Sequence, residues 1–282
     1  MRCAWQAYLN LLPHWMRQEV DGHCIHTLQE LHMRIGLQPE ACLSAGKIRI
    51  SRKITKEDIA FVINAASEYS PWAAKTLAKG YLTAQGGHRI GVCGVTTVVD
   101  GSMRGITQPT SLCIRVARDI DNISPKASDI KDSVLIIGPP GSGKTTLLRD
   151  LIRTKSNSGD GNVSVVDERE EIFPLYQGQA CFVSGEHTDI LSGCNKTEGI
   201  EAVLRSMNPR WIAVDEITKE SDANALLQAG WCGVNMMATA HAGSLEDFLT
   251  RPVYKPLVAC KLFTTILVLQ KDKSWRMERM YI

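Results

Sequence analysis

Gly138-Pro139-Pro140-Gly141-Ser142-Gly143-Lys144-Thr145 fits the pattern G-x-x-x-x-G-K-[ST] at every defined position. It follows an apolar run at 133–137 and opens a helical pattern at 144–155. That context matters as much as the letters. Glycines let a backbone curl until successive N–H groups converge on phosphate oxygens. The start of a helix adds partial positive charge at the same point. Lys144 is then expected to reach the β- and γ-phosphates, and the Thr145 hydroxyl to bind Mg²⁺. The expected ligand is ATP with Mg²⁺, cradled by Gly138, Pro139, Pro140, Gly141, Ser142, Gly143, Lys144, Thr145 and Thr146.

Three further stretches carry residues that could complete such chemistry. Trp211-Ile212-Ala213-Val214-Asp215-Glu216 is an apolar strand ending in two carboxylates. Asp215 is expected to hold Mg²⁺ and Glu216 to polarise an attacking water. Asp167-Glu168-Arg169-Glu170-Glu171 follows a strand at 163–166, the end of a strand where open α/β sheets bind ligands. Ala238-Thr239-Ala240-His241 closes another strand, and a polar residue with a histidine there could sense a γ-phosphate.

The elements that must position these residues alternate. Strands are expected at 133–137, 163–166, 211–214 and 235–239, and helices at 144–155, 198–207, 221–229 and 245–250. A terminal hairpin is expected from 262–269 and 275–281. This is the pattern of a mostly parallel sheet with helices on both faces, an α/β fold with a RecA-like P-loop NTPase core. The first part of the chain mixes a strand at 47–51, a helix opened by Thr55 with Asp58 as its capping partner, a helix at 71–78, a hairpin within 86–99 and a strand at 111–116. It reads as a smaller α+β N-terminal domain. The polar run 121–132 reads as a linker, which divides the chain into 1–124 and 125–282.

Composition narrows the classes. The chain has 282 residues, 44% apolar and 22% charged, and a net charge of +2. That balance gives no bulk attraction to nucleic acid or acidic lipid. Nine cysteines, with no C-x-x-C pair and no zinc-ligand spacing, predict reduced thiols in a cytosolic protein. No secretory signal is expected at the N-terminus, because Pro13, His14, Arg17 and Glu19 break up its apolar start. The longest apolar run, 262–269, has the length of a strand rather than of a membrane span. Residues 191–195 (LSGCN) look like a degraded ABC-transporter signature, but too few residues separate Lys144 from Leu191 for the helical subdomain that such proteins insert.

Taken together, the P-loop, the acidic box after the second strand, the Asp215-Glu216 strand end preceded by Arg205 and Pro209, and the strand ending Thr-x-His resemble the secretion-type ATPases of type II and type IV systems and pilus motors. The segments HRIGVCG (88–94), GITQPTSLCIRVARDI (105–120), VVDEREEI (165–172) and DILSGCNKTEGIEAVLRSMNP (189–209) are similar to one branch, the stage III sporulation protein AA family, over roughly 45–282. The acidic box departs from the Glu-Asp-Pro-x-Glu of the wider family, and Glu168 and Glu171 align best with it. After Ile217 stands Thr218, where this branch more often has Gly.

The resemblance implies an ATP hydrolase that works as a hexameric ring, with Glu168, Glu171, His241 and Arg205 joining Lys144 and Glu216 in catalysis. It implies that Arg89, Arg104, Arg115 or Arg118 reaches a neighbouring subunit's phosphates. It also implies a cytoplasmic position at the mother-cell side of the forespore membrane, docked on membrane proteins of a channel formed during sporulation. A DNA-processing RecA-like ATPase is the alternative, and the near-neutral charge counts against it.

Overall fold

The computed structural model describes residues 1–24, 26–68, 77 and 80–280. But for Leu77, the helix expected at 71–78 lies outside the described residues. Chain contacts divide the molecule into two units. One comprises Met1–Asp119 with Leu175–Phe182, the other Ile120–Pro174 with Val183–Ile282.

The first unit opens with two helices, Trp5–Leu11 and His14–Cys24. Tyr8, Leu9, Leu11, Met16 and Val20 from these helices are part of its core, with Leu12 from the turn between them. Strands β1 (Leu28–Arg34), β2 (Glu40–Leu43) and β3 (Gly46–Arg49) follow, then a helix, Lys56–Ser67. That helix begins as its sequence predicts: the Thr55 side chain accepts from the Asp58 amide, and Asp58 reciprocates. Strands β4 (Tyr81–Thr83), β5 (Arg89–Val99) and β6 (Ser102–Arg115) complete an antiparallel sheet in the order β3-β2-β1-β6-β5-β4.

The expected hairpin at 86–99 is only half of the real one. Its arms are β5 and β6, joined by a two-residue turn at Asp100 and Gly101, both at positive φ. The strand expected at 111–116 is the far end of β6.

The second unit starts with β7 (Val134–Gly138) and β8 (Val163–Asp167), both buried along their whole length. The chain then leaves to form a small hairpin, β9 (Leu175–Tyr176) with β10 (Gln179–Ala180), that belongs to the first unit. It returns as β11 (Thr188–Ser192), β12 (Trp211–Val214), β13 (Asn235–His241), β14 (Thr265–Leu269) and β15 (Trp275–Arg279). The sheet order is β11-β8-β12-β13-β7-β14-β15, with every neighbour parallel except β14 and β15. Unbroken apolar runs such as Val134 to Ile137 are what a parallel sheet covered on both faces requires.

Helices Lys144–Ser156, Lys196–Ser206 and Glu220–Trp231 connect the parallel strands, each one turn or less from its expected bounds. Within this unit the polar run 121–132 is tied down. The amides of Asn122, Ile123 and Ser124 donate to the buried Asp150 carboxylate, at 2.8–3.1 Å. The Trp275 indole donates to the Ile123 carbonyl at 2.8 Å. The stretch that resembles an ABC signature is the end of edge strand β11 followed by a helix cap, where Asn195 accepts from the Glu198 amide. Among the described residues no helix is long and apolar enough to cross a membrane.

Candidate functional site

Parallel pairing fixes which residues share an edge of the sheet. Gly138 at the end of β7 stands opposite His241 at the end of β13; Ala238 stands opposite Val214, and Val214 opposite Val166. The strand ends that carry the P-loop, the acidic box, Asp215-Glu216 and His241 therefore fall side by side, though more than a hundred residues separate the first from the last.

The loop between β7 and the Lys144–Ser156 helix has the backbone of a cradle. Gly141 and Gly143 lie at φ of 74° and 100°, where other residues are strained. A Cβ on Gly138 would come within 2.7 Å of the Ser142 hydroxyl and 3.0 Å of Leu269. The Lys144 ammonium donates to the carbonyls of Gly138 and Pro139 at 3.0 and 2.9 Å, and lies 3.1 Å from His241 Nδ1. Burial pulls the Lys144 pKa down from its ordinary value, and the Asp215 and Glu216 carboxylates partly oppose that. Among the described residues the buried Ser142 hydroxyl has no hydrogen-bond partner, a polar group left for a ligand to satisfy.

Beside the loop, Thr145 donates through Oγ1 to Asp215 Oδ2 at 2.7 Å. The other Asp215 oxygen accepts from Thr239. Thr239 Oγ1 in turn accepts the Glu216 amide at 2.7 Å, which holds Glu216 at a left-handed φ of 53°. Such a conformation costs a non-glycine residue about 1–3 kcal/mol and persists only where neighbours enforce it. The Glu216 side chain is shared: one carboxylate oxygen contacts His241 Nε2, the other Arg169. Because Lys144 donates to Nδ1 of His241, the imidazole proton sits on Nε2 and points at Glu216.

The acidic box divides its work. Asp167, the last residue of β8, is buried, and its carboxylate accepts from the amides of Glu171, Ile172 and Phe173 at 2.9 Å. Burial outweighs those three amides and holds its pKa at about 6. Asp167 shapes the loop; Arg149 locks it further by donating to the carbonyls of Ile172 and Glu171. Glu168 pairs with the buried Lys196 at 2.5 Å. Glu171 lies on the same loop, half-buried.

Arg205 is not brought to the cluster. It is exposed in the last turn of its helix and pairs with Glu201 at 3.0 Å. It lies roughly 14 Å along the helix axis from Lys196 at the other end. Of the arginines in the first unit, Arg89 stacks over Tyr81 at 4.3 Å and Arg115 pairs with Glu30 at 2.9 Å. Arg104 is exposed, and Arg118 has one guanidinium nitrogen buried without a hydrogen-bond partner among the described residues.

Sequence reasoning alone missed the parts played by Arg169, Asp167, Arg149 and Lys196. Asp167 had a readable signal, a carboxylate closing a wholly apolar strand. The others show no local signal, because their partners come from other strand ends.

A family model described as Sporulation stage III, protein AA matches residues 6–281. The match starts well before residue 45, so all but the first residue of the two N-terminal helices lies within it. The chain is 35% identical to Stage III sporulation protein AA of Bacillus subtilis (strain 168), over 88% of this chain and 84% of that protein. It is 27% identical to an uncharacterized ycf45 protein of Porphyra purpurea, over 92% of this chain but 44% of that protein. Two solved structures share its fold. The ATPase DotB of Yersinia pseudotuberculosis aligns with a TM-score of 0.59 at 15% identity, covering 95% of this chain and 79% of that one. The pilus retraction motor PilT, solved with ADP, aligns with a TM-score of 0.54 at 14% identity, covering 89% and 76%.

Proposed function

Because the chain belongs to the stage III sporulation protein AA family, we propose that it is a Mg²⁺-dependent ATP hydrolase of the secretion and pilus motor type, built on a RecA-like core. One observation carries the reading. A P-loop hydroxyl, Thr145, stands 2.7 Å from Asp215, and the adjoining Glu216 meets His241 beside the loop lysine.

The residues present fit a magnesium triphosphate. The glycine-shaped loop offers convergent amides, the unpartnered Ser142 hydroxyl offers a further contact, and Lys144 supplies the charge. Thr145 and Asp215 would hold Mg²⁺, which when bound neutralises developing charge on the phosphates. In hydrolysis a water oxygen bonds to the γ-phosphorus as the bond to the β–γ bridging oxygen breaks. Glu216 orients that water and accepts its proton. Lys144 exchanges the loop carbonyls for phosphate oxygens, and His241 reports the change at the γ-position to Glu216 through the contact that they share. Glu168 and Glu171 line the neighbouring strand end, where the acidic box would face the nucleotide.

On this reading the chain works as a hexameric ring, and an arginine from a neighbouring subunit stabilises the transition state. Arg104 suits that role through its exposure, and Arg205, exposed on its helix, could act only across a subunit boundary. The ring would dock on membrane proteins at the mother-cell side of the forespore membrane and power a channel-like complex during endospore formation. A DNA-processing role remains the rival reading, and stimulation of turnover by DNA would favour it.

The test is phosphate release from Mg-ATP by the purified chain and by Lys144→Ala. Losing the lysine is expected to lower kcat/KM by at least about 100-fold, the scale of one preorganised charge at a transferring phosphoryl group. Equal turnover in the two proteins would remove the P-loop from the chemistry.

A further inference from the structure

Away from the nucleotide site, the sheet of the first unit gathers three metal-ligating side chains. Glu30 and His32 are alternate residues of β1, so they share a face, and Cys113 on β6 is the direct cross-strand partner of His32. Leu31, Met33, Leu112 and Ile114 turn the other way into the core. Packing therefore does not require an imidazole, a thiol and a carboxylate at these positions.

The distances suit an ion. Cys113 Sγ lies 3.9 Å from His32 Nε2, and His32 Nε2 lies 3.4 Å from Glu30 Oε2. One donor atom from each residue lies within 4.8 Å of the other two. Zinc bonds of about 2.0–2.1 Å to nitrogen and oxygen and 2.3 Å to sulfur imply tetrahedral edges of roughly 3.6 Å for N···S and 3.4 Å for N···O. The three side chains already stand close to those edges.

The carboxylate is also oriented. Arg115 Nε donates to Glu30 Oε1 at 2.9 Å, which leaves Oε2 facing the imidazole. A ligating carboxylate held through its second oxygen is a common outer-shell arrangement in metal sites. The sequence shows no zinc-ligand spacing because the donors come from strands more than eighty residues apart.

We propose that Glu30, His32 and Cys113 form a binding site for zinc or a similar thiophilic divalent cation, separate from the nucleotide site. Thiolate and imidazole together select such an ion over Mg²⁺ and Ca²⁺. With Cys113 and Glu30 deprotonated, two negative charges meet the dication. All three residues are half-buried, so solvent water completes the coordination. The bound ion would clasp β1 to β6.

The probe is Co²⁺ titrated into the reduced full-length chain, then displaced by Zn²⁺. The expected result is one equivalent of Co²⁺ with a sulfur-to-cobalt charge-transfer band that Zn²⁺ abolishes. Cys113→Ser and His32→Ala each remove the band. Arg115→Gln, which keeps all three ligands, weakens binding by roughly 10- to 100-fold. Cys93→Ser, a thiol on an adjoining strand outside the cluster, keeps it. Thermal unfolding in metal-free buffer checks that each variant folds, and Zn²⁺ should raise the melting temperature of the wild type alone among wild type, Cys113→Ser and His32→Ala. No band in the wild type, or a band that survives both Cys113→Ser and His32→Ala, would overturn the proposal.

Discussion

At the scale of the residue, Glu216 carries the most constraints. Its amide is fixed by Thr239, its backbone is left-handed, and its two carboxylate oxygens are divided between His241 and Arg169. A carboxylate offers about four acceptor positions, so Glu216 can still accept from water, but the Arg169 contact competes with that water for one oxygen. Arg169 is the exposed partner of the two, so its hold is worth about 0.2–1 kcal/mol. Arg169→Ala is therefore expected to raise kcat by up to about fivefold with KM for ATP little changed. A tenfold fall in kcat would instead make Arg169 part of the chemistry. Lys144, Thr145, Asp215, Glu216 and His241 were legible as candidates because each sits in a local pattern that strand and loop geometry explains. Arg169 reads locally as one basic residue in an acidic run; only the adjacency of β8 and β12 gives it a partner.

At the scale of the element, the parallel strands were the easiest to read. Strands such as β7, β8 and β12 are buried on both faces and so are continuously apolar. β1 and β2 carry no clear signal in the sequence: their alternation is short, and β1 has an irregularity between Leu28 and Glu30 that breaks the two-residue period. The long β5–β6 hairpin shows no periodic signal over its length because the half next to the turn is exposed on both faces and broken by three register shifts.

His88, just before β5, joins the N-terminal segment to the end of β6. Ala117 N–H donates to its Nδ1 at 3.1 Å, and its Nε2 donates to the Ala4 carbonyl at 3.0 Å. Both contacts suit the neutral ring. Burial pushes its pKa down to about 4 from an ordinary 6.5. For a base whose folded pKa is depressed, the native state binds fewer protons than the unfolded chain between those values. The stability is present above pH 6.5 and is lost as pH falls toward 4. The difference amounts to about 3 kcal/mol. Thermal unfolding of the wild type should lose stability through this window, and His88→Gln should show a visibly flatter profile. Parallel profiles would mean that His88 does not titrate as its burial demands.

At the scale of the whole molecule, the balance of 32 basic and 30 acidic residues leaves no broad electrostatic footprint. The proposed function rests on the local site and, on the ring reading, on assembly. On the proposed reading Arg205, exposed and paired with Glu201, could reach a phosphate only across a subunit boundary. Sedimentation with a non-hydrolysable ATP analogue should show association beyond the monomer at micromolar protein, strengthened by the nucleotide. A strictly monomeric chain under both conditions would count against a ring.

The claim on which the rest depends is that one site binds Mg-ATP and that Glu216 prepares water there. Its most direct test is Glu216→Gln, measured for both nucleotide binding and turnover. ATP affinity should stay within a few-fold of wild type while kcat falls by about 100- to 10,000-fold, the usual contribution of a positioned general base. Turnover at the wild-type rate would contradict the account.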